Sequence, residues 1–411
     1  MSLNKIEPLL DRALAEFESA GRLKGNEQVI VGVVPGRDGH GPRYLLDGCG
    51  DRAFLRMNSN SYLGLARHPK IVEAEARAAE TFGAGPGAVR FISGTYRPHI
   101  ELEHTLAAFH GREAALIMSA AYATVMGVLP QLIGERTVVI SDALNHNCII
   151  NAVRLAKPAH KAIYPHLDLA ELDRQLEAHE GRAGRAVVVT DGIFSMRGDH
   201  APLDRIVELC RKHEAAYPEG ILTIVDDSHG VGAFGPSGRG TEEATRARAD
   251  LLIGTLGKAF GVNGGYVVSS ATVINYLRET APFYIYSNPI TPAEAAAALA
   301  ALEIVDSPEG ASRLNHLRQL AKRLRSGLGT LGFETIAGDH PIVPILIRDT
   351  KKTAALVRHC FDQHILVTGL IYPVVPKGEE EIRLQVSADQ TERDIDEVLA
   401  ALKGFRRERP A

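Results

Sequence analysis

The chain has 411 residues, 45% of them hydrophobic and 23% charged, which is ordinary for a globular protein and excludes global disorder. The 46 Lys and Arg against 50 Asp and Glu give a formal net charge of −4, which offers no electrostatic case for nucleic-acid or anionic-membrane binding. The four cysteines form no CxxC pair, so we expect no disulfide framework and no thiolate zinc site, and a cytoplasmic location.

The N-terminal 25 residues have the pattern of an amphipathic helix and lack the apolar core of a signal peptide. A glycine-rich stretch at 36–50 and a polar turn follow it. We therefore interpret residues 1–60 as an N-terminal arm.

The segment 114–134 carries no charged residue and is long enough to cross a bilayer. It contains Ser119, Pro130 and Gln131, however, and no asymmetric Lys/Arg cluster flanks it. We predict a buried strand, turn and helix here, and no stable membrane span.

Short β-rich runs alternate with helical stretches through the middle of the chain. AVVVT (186–190), ILTIV (221–225) and LLI (251–253) each end in polar or glycine residues. This pattern predicts an α/β fold with a mainly parallel sheet, in which ligands bind at the carboxyl ends of the strands.

The last third of the chain has a different pattern. An alanine-rich helix at 293–304 and a helix at 314–328 precede strand candidates at 342–347 and 382–386. We predict a large domain over 61–290 and a smaller α+β C-terminal domain over 291–411.

A lysine among glycines follows the third strand, in TLGKAFG (255–261). Lys258 is therefore suited to approach a bound ligand closely, although most lysines are solvated surface residues. A nucleotide-binding P-loop would need Ser or Thr after the lysine, and Ala259 stands there instead.

The second strand leads into VDDSHG (225–230). Asp226, at the end of a buried strand, is costly to ionise without a cationic partner, and a pyridinium nitrogen is one such partner. His229 could reach a neighbouring oxygen. A capped surface turn and a metal site are the alternatives, but no HxH or HxxxH spacing supports metal, and we predict none.

Two further residues complete the pattern. His146 follows another strand and can present a flat ring to a planar cofactor, although a lone histidine is more often structural. Arg383 lies within a strand pattern, where arginine usually pairs with a carboxylate. Together with a helix N-terminus near 119–123 for a phosphate, these residues suit pyridoxal 5′-phosphate (PLP).

Motifs along nearly the whole chain closely resemble the α-oxoamine synthases. These are PLP-dependent transferases of fold type I, the aspartate aminotransferase-like fold, which condense an amino acid with an acyl-CoA. The matching segments are NSNSYLGL (58–65), VRFISGTYRPHIELE (89–103), SDALNHNCII (141–150), TDGIFSMRG (190–198), VDDSHGVG (225–232), GTLGKAFG (254–261), YSNPITPA (286–293) and YPVVPKG with IRLQVSAD (372–389).

The resemblance implies a role for each residue around the cofactor ring. Lys258 would link covalently to PLP, Asp226 would pair with the pyridine nitrogen, and His146 would stack on the ring. His229 would contact the phenolic oxygen, with Ser195 nearby. Lys258, Asp226, His146 and His229 are the implied catalytic residues.

The cofactor phosphate and the assembly follow from the same resemblance. Ala121 and Tyr122 would donate backbone N–H groups to the phosphate, and Thr255 would donate its hydroxyl. Ser287 would reach the phosphate in the other subunit's site, so the functional unit would be a homodimer.

Asn60 and Arg383 would hold the carboxylate of the amino-acid substrate. The segments 142–155 and 372–378 look most like the glycine C-acetyltransferase branch, which predicts glycine and acetyl-CoA as substrates. Ala121-Tyr122 replaces the cysteine-phenylalanine pair of that branch, and the loop at 96–98 also differs, so substrate identity stays open.

Three alternatives remain. One is a synthase that uses serine, alanine or a longer acyl-CoA, like serine palmitoyltransferase or 8-amino-7-oxononanoate synthase. Another is a PLP aminotransferase on the same fold. The last is a non-catalytic protein of this fold, against which the combination of Lys258, Asp226, His146, His229 and Arg383 argues.

Overall fold

The computed structural model of the chain describes residues 3–20, 23, 27–372 and 374–408. Pro373, within the motif at 372–378, and residues 1–2, 21–22 and 24–26 of the predicted arm lie outside the described residues. The strands are β1 (Ile30–Val34), β2 (Arg43–Leu46), β3 (Ala53–Arg56), β4 (Ala114–Met118), β5 (Thr137–Asp142), β6 (His160–Tyr164), β7 (Arg185–Asp191), β8 (Ile221–Asp226), β9 (Leu251–Thr255), β10 (Gly265–Ser269), β11 (Ile342–Leu346), β12 (Ile365–Leu366), β13 (Thr368–Leu370) and β14 (Glu381–Gln385). The α-helices are α1 (Leu3–Ser19), α2 (Pro69–Phe82), α3 (Arg97–Phe109), α4 (Ala121–Leu132), α5 (Asn147–Ala156), α6 (Leu169–Ala178), α7 (Leu203–His213), α8 (Thr241–Thr245), α9 (Ala271–Thr280), α10 (Pro282–Ile285), α11 (Pro292–Val305), α12 (Pro308–Thr330), α13 (Thr350–Asp362) and α14 (Glu392–Glu408).

A seven-stranded sheet in the order β4-β10-β9-β8-β7-β5-β6 forms the centre of the molecule. Strand β10 is antiparallel to both of its neighbours, and the other six strands run in one direction. Strands β5, β8 and β9 are almost entirely buried because helices cover both faces of the sheet. Their near-continuous Val, Ile and Leu runs are typical of such strands.

The parallel strands end in polar residues at one edge of this sheet. Asp142, Asp191, Asp226 and Thr255 are the last residues of β5, β7, β8 and β9. Because neighbouring parallel strands end side by side, these four side chains from distant parts of the sequence come close together.

Two smaller sheets contain the C-terminal strands. Strands β11, β14 and β13 form an antiparallel sheet with β14 in the middle. The other sheet, in the order β1-β2-β3-β12, joins the start of the chain to its last third, since β12 pairs parallel to β3 with Ile365 opposite Leu55. Strands β1–β3 were not anticipated from the glycine-rich sequence of this region.

Helix α1 has no buried residue within the single chain. Leu9, Leu10 and Leu14 of this helix are each more than half exposed. Within the described ranges, no helix combines the length and the apolar character needed to cross a membrane.

Candidate active site

A cavity of about 260 Å³ lies at the carboxyl ends of the central strands. Eight of the eleven site residues predicted from sequence line it: Ala121, Tyr122, His146, Ser195, Asp226, His229, Thr255 and Lys258. Four residues that the sequence analysis did not select complete the lining: Cys148, Asp191, Ile193 and Ser228.

Lys258 lies in the loop that follows β9, with its side chain half-buried. Burial lowers the pKa of Lys258, and the charge of the nearby Asp226 opposes that shift only in part. A lowered lysine pKa increases the fraction of neutral amine, which is the form that acts as nucleophile and base.

Asp226 is held at the end of β8 by a short turn. Its Oδ1 accepts hydrogen bonds from the Ser228 N–H at 3.1 Å and the Ser228 hydroxyl at 2.6 Å. Its Oδ2 accepts from the Cys148 thiol at 3.6 Å. Donors on both oxygens stabilise the carboxylate form, which can hold a proton on a pyridine nitrogen.

His146 is the N-cap residue of α5. Its Nδ1 accepts the Cys148 backbone N–H at 3.3 Å and lies 2.9 Å from the Cys148 sulfur. Because a backbone N–H can only donate, the neutral imidazole carries its proton on Nε2. Burial lowers the pKa of His146, which favours this neutral form.

His229 is buried among groups that fix its orientation. The Tyr62 hydroxyl lies 2.7 Å from Nδ1, and His340 donates from Nε2 to the His229 carbonyl at 2.8 Å. Burial lowers the pKa of His229 well below its usual range. With Tyr62 donating to Nδ1, the neutral ring carries its proton on Nε2 and is a donor for an acceptor oxygen.

The N-terminus of α4 borders the cavity. Helix α4 begins at Ala121, and no side chain caps it, so the N–H groups of its first turn have no partner inside the helix. A Cβ on Gly265 would come within 2.3 Å of the Ala121 nitrogen, so only glycine allows β10 to pass this close. Uncapped N–H groups at a helix start suit a phosphate.

Asn60 and Arg383 lie beside the cavity rather than in its lining. Asn60 Oδ1 accepts from Gln385 Nε2 at 2.7 Å and from Arg383 Nη2 at 3.2 Å. It also lies 3.2 Å from the Tyr62 hydroxyl, whose single proton goes to the shorter contact with His229. The two donors fix the amide orientation and leave Asn60 Nδ2 to donate elsewhere. Arg383 Nε is buried and finds no partner among the described residues.

Ser287, like Asn60 and Arg383, does not line the cavity of the single chain. It is half-buried and follows Tyr286, whose side chain is 79% exposed. Sequence reasoning also missed Tyr62, His340 and Cys148, because nothing in their local patterns distinguishes them from core residues. It missed Asp191 as well, although an acid at the end of a predicted strand is a signal that could have found it.

A sequence profile of class I and II aminotransferases matches residues 52–402. A relative named 8-amino-7-oxononanoate synthase, from Geobacter sulfurreducens, is 41% identical over 364 residues, which cover 88% of this chain and 90% of that protein. The chain belongs to the class I and II aminotransferases, among the α-oxoamine synthases. A protein of the same name from Fervidobacterium nodosum is 38% identical over 90% of this chain and 92% of its own length.

Solved α-oxoamine synthase structures share the whole fold. Serine palmitoyltransferase from Sphingomonas wittichii aligns with a TM-score of 0.87 at 26% identity, over 99% of this chain and 98% of that chain. Another serine palmitoyltransferase structure, solved with PLP, aligns with a TM-score of 0.85. The predicted fold type I architecture, the PLP dependence and the acyltransferase class are confirmed.

The residues of this α-oxoamine synthase fit PLP. The cavity combines a half-buried lysine, a hydrogen-bonded carboxylate, an oriented histidine and an uncapped helix N-terminus. Lys258 would hold the aldehyde carbon, Asp226 the ring nitrogen, and the start of α4 the phosphate.

Proposed function

We propose that this enzyme condenses a small α-amino acid with an acyl-CoA, through Lys258, Asp226, His146 and His229. The observation that carries the proposal is that Lys258, Asp226 and His146 share one cavity, beside the Asn60–Arg383 pair. The α-oxoamine synthase relatives support the same reaction class.

The amino-acid carboxylate is bound by Arg383 and Asn60. The Arg383 guanidinium is a planar donor that matches a carboxylate, and the Asn60 amide N–H group adds a second donor. Since Asn60 is itself oriented by Gln385, the carboxylate is held in one position relative to Lys258.

Lys258 removes the proton from the α-carbon of the bound amino acid, because its lowered pKa makes the neutral amine available. When bound, PLP supplies an electron sink for the charge left on that carbon. Asp226 keeps the proton on the ring nitrogen, and Ser228 holds Asp226 in place.

His146 and His229 both line the cofactor cavity. His146 would pack against the ring and offer Nε2–H to an oxygen of the substrate. His229 would donate to the phenolic oxygen, with Ser195 nearby, while Ala121, Tyr122 and Thr255 would hold the phosphate.

Glycine and acetyl-CoA are the first candidate pair, on the resemblance of 142–155 and 372–378 to glycine C-acetyltransferases. The bulky loop at Tyr96, Arg97 and Pro98 does not line the cavity of the single chain. The Tyr96 hydroxyl instead donates to the Pro86 carbonyl. This loop therefore gives no evidence that the acyl-binding path is narrow or that a short acyl group is preferred.

An acyl group that ends in a carboxylate is the second candidate, because of a cavity of about 460 Å³ beside the site. Ile30, Leu46 and Leu366 form its aliphatic wall, and Arg56 lies on its polar wall. The cavity shares Asn60 with the substrate site and reaches Gly257, next to Lys258. The relatives' name denotes a product with a terminal carboxylate, which agrees with this candidate.

A substrate matrix tests the proposal. Glycine, alanine and serine are each combined with acetyl-CoA, a long neutral acyl-CoA and an acyl-CoA with a terminal carboxylate, and release of free thiol is measured. We expect thiol release that depends on both substrates. Turnover with a keto acid but no thioester would instead identify an aminotransferase.

We also propose a homodimer with shared sites and a cytoplasmic location. Apolar side chains that a second copy would cover are exposed in the single chain. They are Tyr286, which is next to Ser287, and Phe91 and Ile92, which are each 67% exposed. All four cysteines are free thiols, which agrees with a reducing compartment.

A further inference from the structure

Two aspartates enter the cofactor cavity from adjacent strands. Asp191 and Asp226 are the last residues of β7 and β8, and they are direct partners in the register of this parallel pair. Paired residues on neighbouring strands are about 5 Å apart and point to the same face of the sheet. Both line the cavity that contains Lys258.

The two carboxyl groups have different hydrogen-bond environments. Asp226 accepts three donors, from the Ser228 N–H, the Ser228 hydroxyl and the Cys148 thiol. Asp191 accepts one, from the His146 backbone N–H to Oδ2 at 3.1 Å. Asp191 Oδ1 is buried and has no partner within the described part of the chain.

We propose that Asp191 is the neutral, protonated member of this pair and positions His146, while Asp226 carries the charge. An ionised Asp191 would place a bare carboxylate oxygen in the protein interior, whereas an ionised Asp226 is stabilised at both oxygens. A proton on Oδ1 turns the unpartnered atom into a donor for the group that fills the cavity.

The charges around Asp191 also favour a neutral Asp191 beside a charged Asp226. Burial and the charge of Asp226 raise the pKa of Asp191 well above its usual value, and Asp142 adds to the rise. Lys258 and the His146 N–H act in the opposite direction. Two acids this close do not both ionise readily, so the less solvated one keeps its proton.

Asp191 would act by holding the His146 backbone in place. The bond to Oδ2 fixes the first residue of the turn that enters α5, and Asn145 fixes the same turn by accepting the Asp191 N–H at 2.8 Å. The His146 backbone is therefore anchored to β7, while its ring contacts Cys148.

Asparagine at position 191 reproduces a neutral carboxylic acid, because its carbonyl can accept the His146 N–H and its NH₂ replaces the O–H donor. Asp191→Asn should therefore preserve PLP binding and the position of His146, whereas Asp191→Leu should disturb both. At position 226 asparagine removes the charge, so Asp226→Asn is the matched contrast.

The test is an infrared and absorbance comparison of these variants loaded with PLP, at about pH 8.5, where carboxyl groups with a pKa near 7 are ionised. Wild type should show the carbonyl band of a protonated carboxylic acid that Asp191→Asn removes and Asp226→Asn keeps. The pH midpoint of the absorbance of the lysine–PLP linkage should move by less than about half a unit in Asp191→Asn.

An ionised Asp191 gives the opposite result. Its neutralisation would remove no carbonyl band and would shift the midpoint by more than about one unit, as expected for a lost charge close to the linkage. Failure of Asp191→Asn to retain PLP would also overturn the proposal. The inference rests on the cofactor role proposed for Asp226, but neither readout uses an acyl-CoA, so it can fail independently of the proposed condensation.

Discussion

The Tyr62 hydroxyl lies 2.7 Å from His229 Nδ1, although 167 positions separate the two residues. Tyr62 is fully buried, and burial raises the pKa of its hydroxyl, so it remains a neutral donor across the physiological range. The pair therefore fixes which nitrogen of His229 faces the cofactor.

Tyr62→Phe should lower kcat/KM by about tenfold, because the hydrogen bond to His229 is lost, at about 1–1.5 kcal/mol. Steady-state kinetics and the PLP dissociation constant measure the effect. Tyr266→Phe is the control, since Tyr266 makes a similar 2.9 Å contact with His110 away from the cavity. An equal loss of kcat/KM in both variants would contradict the role of Tyr62.

Borohydride treatment of the PLP-loaded enzyme should fix the cofactor to Lys258. The lowered pKa of this amine favours covalent linkage, and peptide mapping by mass spectrometry locates the added mass. Lys258→Ala should abolish the label. The same mass on another lysine would refute the assignment.

Asp226→Asn should leave PLP bound but reduce kcat by roughly 100-fold or more, since a preorganised charge contributes about 3 kcal/mol to the barrier. Presteady-state and steady-state rates measure this loss. Near-normal turnover would exclude the proposed role of Asp226.

Asp227→Asn is the matched control, because Asp227 bonds to the Thr241 N–H at 2.6 Å and hydroxyl at 2.7 Å instead of lining the cavity. Its turnover should stay close to normal. Burial raises the pKa of Asp227 to about 7, so its favourable contribution is present below about pH 4 and is lost as the pH rises through 7. The free energy of unfolding of wild type relative to Asp227→Asn should therefore fall over that interval.

Arg56→Gln tests the second substrate candidate. The guanidinium lies 4.4 Å from the centre of the Tyr44 ring and donates to the hydroxyls of Ser59 and Ser61. If it binds a terminal carboxylate, kcat/KM for such an acyl-CoA should fall roughly 10- to 100-fold, at about 1.5–3 kcal/mol. A neutral acyl-CoA of equal length should be unaffected.

Arg52→Gln provides the control for Arg56→Gln. Arg52 lies close to Arg56 in sequence, but it is exposed and does not line the 460 Å³ cavity. Equal losses on charged and neutral acyl groups in Arg56→Gln would indicate a structural role. That result would leave glycine and acetyl-CoA as the preferred pair.

Hybrid dimers test the shared site. Lys258→Ala and Ser287→Asp should each be inactive alone, the second because a carboxylate repels the cofactor phosphate. If Ser287 serves the partner's site, a hybrid of the two contains one intact site and recovers activity. Sedimentation measures the dimer, and a fully active monomer would contradict the assembly.

The sequence predicted the residues at strand ends, because position alone brings them together. Asp226 and Lys258 follow buried runs of parallel strands, whose ends meet at one edge of the sheet. The motif resemblance then assigned their roles.

The partners of those residues could not be predicted in the same way. Tyr62 and His340 contact His229 from separate regions of the chain, and Cys148 meets Asp226 only because α5 packs beside β8. Such contacts depend on side-chain packing across elements, and no local periodicity encodes them. Strands β1–β3 were missed because Gly and Pro, which favour turns, recur between them.

The contacts of Asn60 with β14 have a consequence for the order in which the parts of the site are synthesised. During synthesis the ribosome releases Asn60 early, but the Arg383 and Gln385 side chains that orient it emerge more than 300 residues later. The residues that line the PLP cavity all precede Arg383 and Gln385 in the chain, since the last of them is Lys258. If Asn60 and Arg383 bind the substrate carboxylate as proposed, that binding site is complete only after β14 has been synthesised and has joined its sheet.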